Sequence, residues 1–181
     1  MTFEIKINDK LSLKFPKTEE AQEIYEIVDK NREHLRKWLA WVDMTTSASD
    51  IEKNITERIE RFEAKKSASF YAYYEGKWIA SVGYVSIDNI NKLGEIGYWI
   101  DSEYEGRGLM TECVKACIKY GFEDLDLHRI VIRCSENNNK SSAIPERLGF
   151  TMDGKLREDH LINGVYENTK VWSLLKGESK A

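Results

Sequence analysis

Cysteine, histidine and surplus positive charge are all scarce in this sequence of 181 residues, and each shortage argues against a class of protein. Cys113, Cys117 and Cys134 are an odd number with no paired spacing, so no disulfide framework is expected and the chain suits a reducing compartment. Cys113 and Cys117 stand one helical turn apart and read as small apolar packing residues. His34, His128 and His160 are scattered, and no metal-ligand spacing connects them. Lys and Arg number 27 against 31 Asp and Glu, a net charge of −4. That balance argues against a nucleic-acid partner and is compatible with a cationic substrate such as an amine. No apolar run approaches the roughly 18 residues of a membrane-spanning helix. The N-terminus lacks the basic-then-apolar profile of a signal peptide, so a cytoplasmic protein without membrane attachment is expected. Repeats, linkers and low-complexity tracts are missing too.

An apolar content of 41% suits one domain with a sizeable core, taken as residues 1–176, with a loose tail at 177–181. Residues 3–7 and 11–15 alternate in polarity around Asn8-Asp9-Lys10, which predicts a hairpin ended by Pro16. Thr18-Glu19-Glu20 starts a helical region that reaches Leu35, with Ala21, Ile24 and Val28 on its apolar face. Trp38 and Trp41 follow near its end, where they either fill the core or wall an acceptor pocket. A second helix is expected from 49–52 onward, carrying Ile51, Ile55, Ile59 and Phe62 at helical spacing. Strands are predicted at 69–74, 78–87, 93–100 and 129–134, and a short helix at 141–148 stopped by Gly149. Two last strands, 150–157 and 165–175, join around Asn163-Gly164.

The chain is organised around residues 93–122. The first eight have the β-branched and aromatic content of a strand, and Gly97 among them indicates a bulge or a close backbone approach. Glu105-Gly106-Arg107-Gly108-Leu109-Met110 turns the chain, and Met110, Val114, Cys117 and Ile118 then recur on one helical face. The first N–H groups of a helix lack internal partners, the helix dipole makes that end partly positive, and glycines let an anion approach the backbone. Strand, glycine turn and helix together predict a diphosphate cradle. A P-loop would need Lys-Ser/Thr after Gly108, where Leu-Met-Thr stands, and Thr111 takes the third small-residue position of the dinucleotide fingerprint. Without repeating βαβ units, a Rossmann-type redox enzyme is disfavoured.

What remains resembles motif A of the GNAT N-acetyltransferases, Gln/Arg-x-x-Gly-x-Gly/Ala, whose amides hold the pyrophosphate of acetyl-CoA. Laid on residues 105–110, the motif keeps Gly108 and meets Glu105 and Met110 at its ends. Glu95-Ile-Gly-Tyr-Trp-Ile100 resembles the fourth-strand signature of the RimJ/RimL branch, the protein N-terminal acetyltransferases that modify ribosomal proteins. Gly106-Arg-Gly-Leu-Met-Thr-Glu112 resembles that branch's own motif A. Asn138-Asn-Lys-Ser141, followed by Ala143-Ile-Pro-Glu-Arg-Leu-Gly-Phe150, is similar to its motif B. Leu35-Arg-Lys-Trp-Leu39 looks like its acceptor-side helix, so the likeness spans nearly the whole chain and runs closest to ribosomal-protein serine acetyltransferases of Bacillus-type bacteria.

This resemblance implies an α+β fold, a mixed and mostly antiparallel sheet of about seven strands flanked by helices. The fourth and fifth strands, here 93–100 and 129–134, would splay and receive pantetheine along Tyr98, Trp99 and Ile100. It also implies acetyl-CoA as cofactor, the N-terminal α-amine of a ribosomal protein as acceptor, and suggests a homodimer.

Acetyl transfer needs a neutral amine, donors at the carbonyl oxygen and a proton for the departing thiolate. By analogy with the family, Glu95 is the candidate base, acting through water, and also a substrate-binding residue; its alternatives are a solvated carboxylate or an ion pair with a neighbour such as Lys92. Ser141 matches the serine that the family places near the thioester sulfur, and it could equally cap the helix it opens. Tyr98 and Tyr120 are secondary acid candidates. The backbones of Glu105, Gly106, Arg107, Gly108, Leu109 and Met110 are expected to hold the diphosphate, with Arg107, Lys115 or Arg147 toward the adenosine phosphate. Asn138 would bond the pantetheine arm or cap a loop. Trp38, Trp41 and Glu158, or Asp159 beside it, complete the substrate-binding candidates. Two other functions share the donor: acetylation of a small amine (polyamine, amino acid or antibiotic), and a non-catalytic acyl-CoA sensor.

Overall fold

The computed structural model describes residues 3–179. Met1, Thr2, Lys180 and Ala181, and with them the end of the expected tail, lie outside the described residues. Gly177 and Glu178 belong to a 3₁₀ turn in which Glu178 Oε2 accepts from Leu175 N–H at 3.1 Å.

One sheet carries every described strand: β1 (Glu4–Lys6), β2 (Leu11–Lys14), β3 (Ala68–Tyr74), β4 (Lys77–Asp88), β5 (Leu93–Ile100), β6 (Arg129–Ser135), β7 (Thr151–Ile162) and β8 (Val165–Leu175). Their spatial order is β1-β2-β3-β4-β5-β6-β8-β7, eight strands where about seven were expected. Only β5 with β6 is parallel; the other neighbours are antiparallel. Asn163 and Gly164 both take positive φ, 51° and 79°, as the tight turn between β7 and β8 requires.

Alternation along the strands sorts side chains onto two faces. Helices α4 (Leu109–Glu123) and α5 (Asn139–Arg147) cover one face, where Phe70, Val82, Ile96 and Ile132 meet Val114, Ile118 and Ile144. Cys113 and Cys117 sit in this layer, and burial pushes the Cys113 thiol up to about 12 and Cys117 well up also, so both are protonated packing groups. Helices α1 (Ala21–Lys30) and α3 (Ala48–Glu63) cover the other face, packing Ile24, Val28, Ile51 and Ile55 on Tyr71 and Trp78. The α4 helix lies close to the sheet because Gly121 has no side chain there. The Tyr84 ring, fully buried, fits between Gly121 and Gly94 and donates its hydroxyl hydrogen to Cys117 O at 2.9 Å.

The strand expected at 150–157 continues to Ile162 and the helix expected at 141–148 spans Asn139–Arg147. Three further local details depart from the sequence expectation. The helical region from Thr18 to Leu35 breaks at Asn31 into α1 and the single turn α2 (Arg32–Leu35). Asn31 is 2% exposed; its Nδ2 donates to Asp101 Oδ1 at 3.1 Å and its Oδ1 accepts from Ser102 N–H at 3.0 Å, pinning the break to the chain after β5. The next helix starts earlier than 49, because Ser47 caps it and Asp50 closes the capping box. The bulge expected at Gly97 lies on the neighbouring strand: register shifts between Tyr84 and Ser86 leave Val85 unpaired, and a Cβ at Gly97 would stand 2.8 Å from Val85 Cγ1.

Candidate active site

Parallel pairing between β5 and β6 runs from Leu93 opposite Arg129 to Ile96 opposite Ile132 and then stops. Beyond it each strand keeps its other neighbour: Tyr98, Trp99 and Ile100 pair with β4, while Arg133, Cys134 and Ser135 pair with β8. The edges that face each other are therefore free of a strand partner, and a cleft of about 1350 Å³ opens between them. This is the splay that the sequence resemblance implies.

At one end of the cleft the chain reaches α4 through Gly106 and Gly108, with φ of 74° and 76°. Gly108 is the left-handed N-cap and among the described residues no side chain caps the helix; Glu112 N–H, on Gly108 O, is the first to find a backbone acceptor. A Cβ built on Gly106 or Gly108 meets nothing within 4 Å, so bare main chain faces open space. Leu109 and Met110 supply the first-turn amides, and both line the cleft. A diphosphate fits this end, which presents the positive end of a 15-residue helix and, among the described residues, unpaired N–H donors with no side chain in the way.

The wall opposite is built by a proline. Pro145 lies inside α5 and has no N–H, so the carbonyl of Ser141, four residues back, loses its helical partner. Tyr98 fills the vacancy, its hydroxyl donating to Ser141 O at 2.9 Å and accepting from Ser141 Oγ at 3.3 Å. Burial pushes the Tyr98 phenol well above its ordinary value, so it stays protonated as a hydrogen-bond donor. The α5 cap is Asn138, whose Oδ1 accepts from Ser141 N–H at 3.1 Å. The cap reading of Ser141 is thus corrected: the helix opens at Asn139, Asn138 takes the N-terminus, and the Ser141 hydroxyl is left facing the cleft beside Tyr98.

Glu95 and Tyr98 are three positions apart on β5, so they point to opposite faces of the sheet. Glu95 lines the cleft from the α1 side and pairs with Arg133 Nε at 3.6 Å, rather than with Lys92. Trp38, Leu39, Asp159 and His160 also line the cleft.

Several expected site residues lie elsewhere. Trp41 packs on Trp99, ring centroids 5.9 Å apart, and among the described residues does not line the cleft. Glu158 takes φ 51° in an irregular stretch of β7 between Leu156 and His160, which turns Asp159 and His160 inward and leaves Glu158 outside the main cleft. Tyr120 packs edge-on against Phe3 and Phe70 at the core, away from the cleft. Arg107 and Arg147 do line the cleft, but each is engaged: Arg107 donates to Glu103 O at 2.8 Å and lies over the Tyr104 ring, and Arg147 donates to Thr111 Oγ1 at 2.9 Å. Lys115 is exposed on α4, off the cleft. Arg133, His34, Lys140, Ser135 and Thr169 line the cleft and were not singled out from the sequence, since nothing local marks them.

A diphosphate cradle leading into a splayed β-sheet, with a carboxylate and a hydroxyl pair on opposite sides of the gap, belongs to acyl transfer from a coenzyme A thioester. Residues 10–151 match the acetyltransferase (GNAT) domain family, and the chain belongs to that family: it is an acetyl-CoA-dependent N-acetyltransferase. Among curated relatives it is 32% identical over 177 residues to YdaF of Bacillus subtilis (strain 168), described as a candidate ribosomal N-acetyltransferase, covering 97% of each chain. It is 26% identical over 173 residues to the ribosomal-protein-serine acetyltransferase of Escherichia coli (strain K12), covering 96% of this chain and 97% of that one. In structure it matches RimL, a ribosomal L7/L12 alpha-N-protein acetyltransferase solved with coenzyme A, with a TM-score of 0.93 at 24% identity, over 96% of this chain and 98% of that one. No helix among the described residues is long and apolar enough to cross a membrane.

Proposed function

We propose that the acceptor is the N-terminal α-amine of a ribosomal protein. One observation carries this reading: Glu95 on one face of the sheet and the Tyr98–Ser141 hydroxyl pair on the other converge on the same gap between β5 and β6. Both relatives named for ribosomal proteins, which match along nearly the whole chain, support it. Acetyl-CoA, when bound, supplies the activated acetyl group as a thioester.

The residues divide the remaining work. Backbone amides of residues 106–110 hold the diphosphate, and the free edge of Tyr98–Ile100 holds the pantetheine arm. Glu95, oriented by Arg133, takes the proton of the attacking amine through water. An α-amine, with a pKa near ~8, is partly neutral at pH 7, whereas a lysine near ~10.4 is not, so a half-exposed carboxylate suffices as its base. The Ser141 hydroxyl, swinging its hydrogen from Tyr98 Oη to the departing sulfur while Tyr98 stays anchored on Ser141 O, offers that sulfur a hydrogen bond. Trp38 and Asp159 border the entry for the acceptor chain.

The test is release of coenzyme A from acetyl-CoA with peptides copying ribosomal-protein N-termini, set beside polyamines and amino acids. Turnover confined to the small amines would overturn the acceptor; tight coenzyme A binding without any turnover would make the protein a sensor. Ser141→Ala should cut kcat about 10- to 100-fold while the Kd for coenzyme A changes little. A fall in melting temperature with unchanged kcat would leave Ser141 a structural role only.

The homodimer is supported by β7 and β8, on which Met152, Leu156, Leu161, Val165 and Tyr166 are each 40–62% exposed at the sheet's edge. Sedimentation at micromolar concentration should give twice the chain mass, and Val165→Asp with Tyr166→Asp should give one. A monomeric wild type would dispose of the dimer.

A further inference from the structure

Glu105 is an acid at the mouth of an anion site. Left alone there, its charge would repel a diphosphate. It is not alone: Glu105 Oε1 lies 2.8 Å from His34 Nε2 on α2, and Oε2 lies 2.5 Å from Lys140 Nζ on α5. All three side chains line the same cleft as residues 106–110, so the cluster joins the two walls at the cradle. Burial would raise the Glu105 carboxyl, but the hydrogen bonds from Lys140 and His34 outweigh it and hold the group below the usual carboxylate range.

The partners differ in what they have left to give. Arg107, the basic residue inside the cradle loop, is drawn back onto Glu103 O and the Tyr104 ring. The Lys140 ammonium has three N–H groups, and Glu105 is its one partner among the described residues. Its side chain is 77% exposed, a position in which an untethered lysine would sample many rotamers. Glu105 limits that freedom at the cleft and leaves the other two N–H groups without a partner among the described residues.

We propose that Lys140, tethered by Glu105, is a ligand for the diphosphate of the coenzyme, and that Glu105 is its positioning residue. The acid at position 105 then strengthens anion binding instead of opposing it. This rests on the acetyl-CoA reading of the same cleft and adds to it a side-chain contact that discriminates phosphorylated from unphosphorylated donors.

Calorimetric titration tests it with three ligands: coenzyme A, dephospho-coenzyme A, which keeps the diphosphate, and pantetheine, which has no phosphate. Lys140→Ala should raise the Kd for coenzyme A and for dephospho-coenzyme A alike, about 10-fold, with pantetheine unchanged and Lys140→Arg recovering most of the loss. Glu105→Gln should also weaken coenzyme A, by roughly 3-fold, since the tether is slackened. Tighter binding by Glu105→Gln would show simple repulsion and sink the proposal. So would a Lys140→Ala variant with unchanged affinity, a loss equal for pantetheine, or a loss seen with coenzyme A but not its dephospho form. If coenzyme A fails to bind the wild type, the donor reading itself falls; if it binds and Lys140 is silent, only the contact does.

Discussion

Glu95→Gln is expected to lower kcat for a peptide acceptor by about 100-fold or more, the usual yield of a positioned general base. Gln is nearly isosteric and can still accept from Arg133, and the ion pair it replaces is 30% and 46% exposed, so the fold should lose little stability. What goes is the proton acceptor. The residual rate should climb with pH through the α-amine pKa near ~8, because the substrate must then shed its proton unaided. The wild type should show that climb displaced to lower pH. Single-turnover rates from pH 6 to 10 would decide the matter: a kcat within twofold of wild type, or superimposable pH profiles, would remove Glu95 from the chemistry.

The largest effect on stability should come from one methyl group at Gly121. An added Cβ would lie 1.8 Å from Tyr84 Oη, 2.7 Å from Tyr84 Cζ and 3.3 Å from Ile130 Cδ1. Tyr84 has no room to retreat, since a Cβ at Gly94 on its other flank would already be 2.6 Å from the ring. Either α4 lifts from the sheet or the buried hydroxyl abandons Cys117 O. Overpacking and a stranded hydroxyl each cost on the order of 1–3 kcal/mol, and the better helix propensity of Ala returns about 1. A net loss of ~3 kcal/mol would lower Tm by roughly 10 °C in a chain of this size. Tyr84→Phe removes the atom of closest approach, so Tyr84→Phe with Gly121→Ala should melt above Gly121→Ala alone. Unchanged melting of the single variant would show that the helix is not held by this contact.

Where a feature of this fold depends on neighbours in sequence, the residues alone disclosed it. Asn163-Gly164 marks its turn, and the glycine pair at 106 and 108 marks a positive-φ corner bare of side chains, because φ and missing side chains are local matters. Features set by distant partners were not legible. Asn138 and Ser141 are both good caps in isolation, and nothing nearby reveals that Tyr98, 43 residues away, engages Ser141. The bulge near Gly97 was displaced onto β4 because a glycine reports crowding without saying which strand supplies it. Trp41 and Glu158 stand outside the cleft for related reasons: one meets an aromatic neighbour in Trp99, and the other lies where an irregularity changes which side chains turn inward. The basic partners of Glu105 come from helices 71 residues before it and 35 after it.

The parting of β5 from β6 has a kinetic consequence on this reading. A gap through the thickness of a sheet is a window with two sills, and donor and acceptor would approach it from different sides. Neither has to vacate for the other, so peptides can be exchanged while the thioester stays in place. Rate plots against both substrates would then intersect, the pattern of a ternary complex, and not run parallel as they do when an enzyme carries the acyl group between two visits.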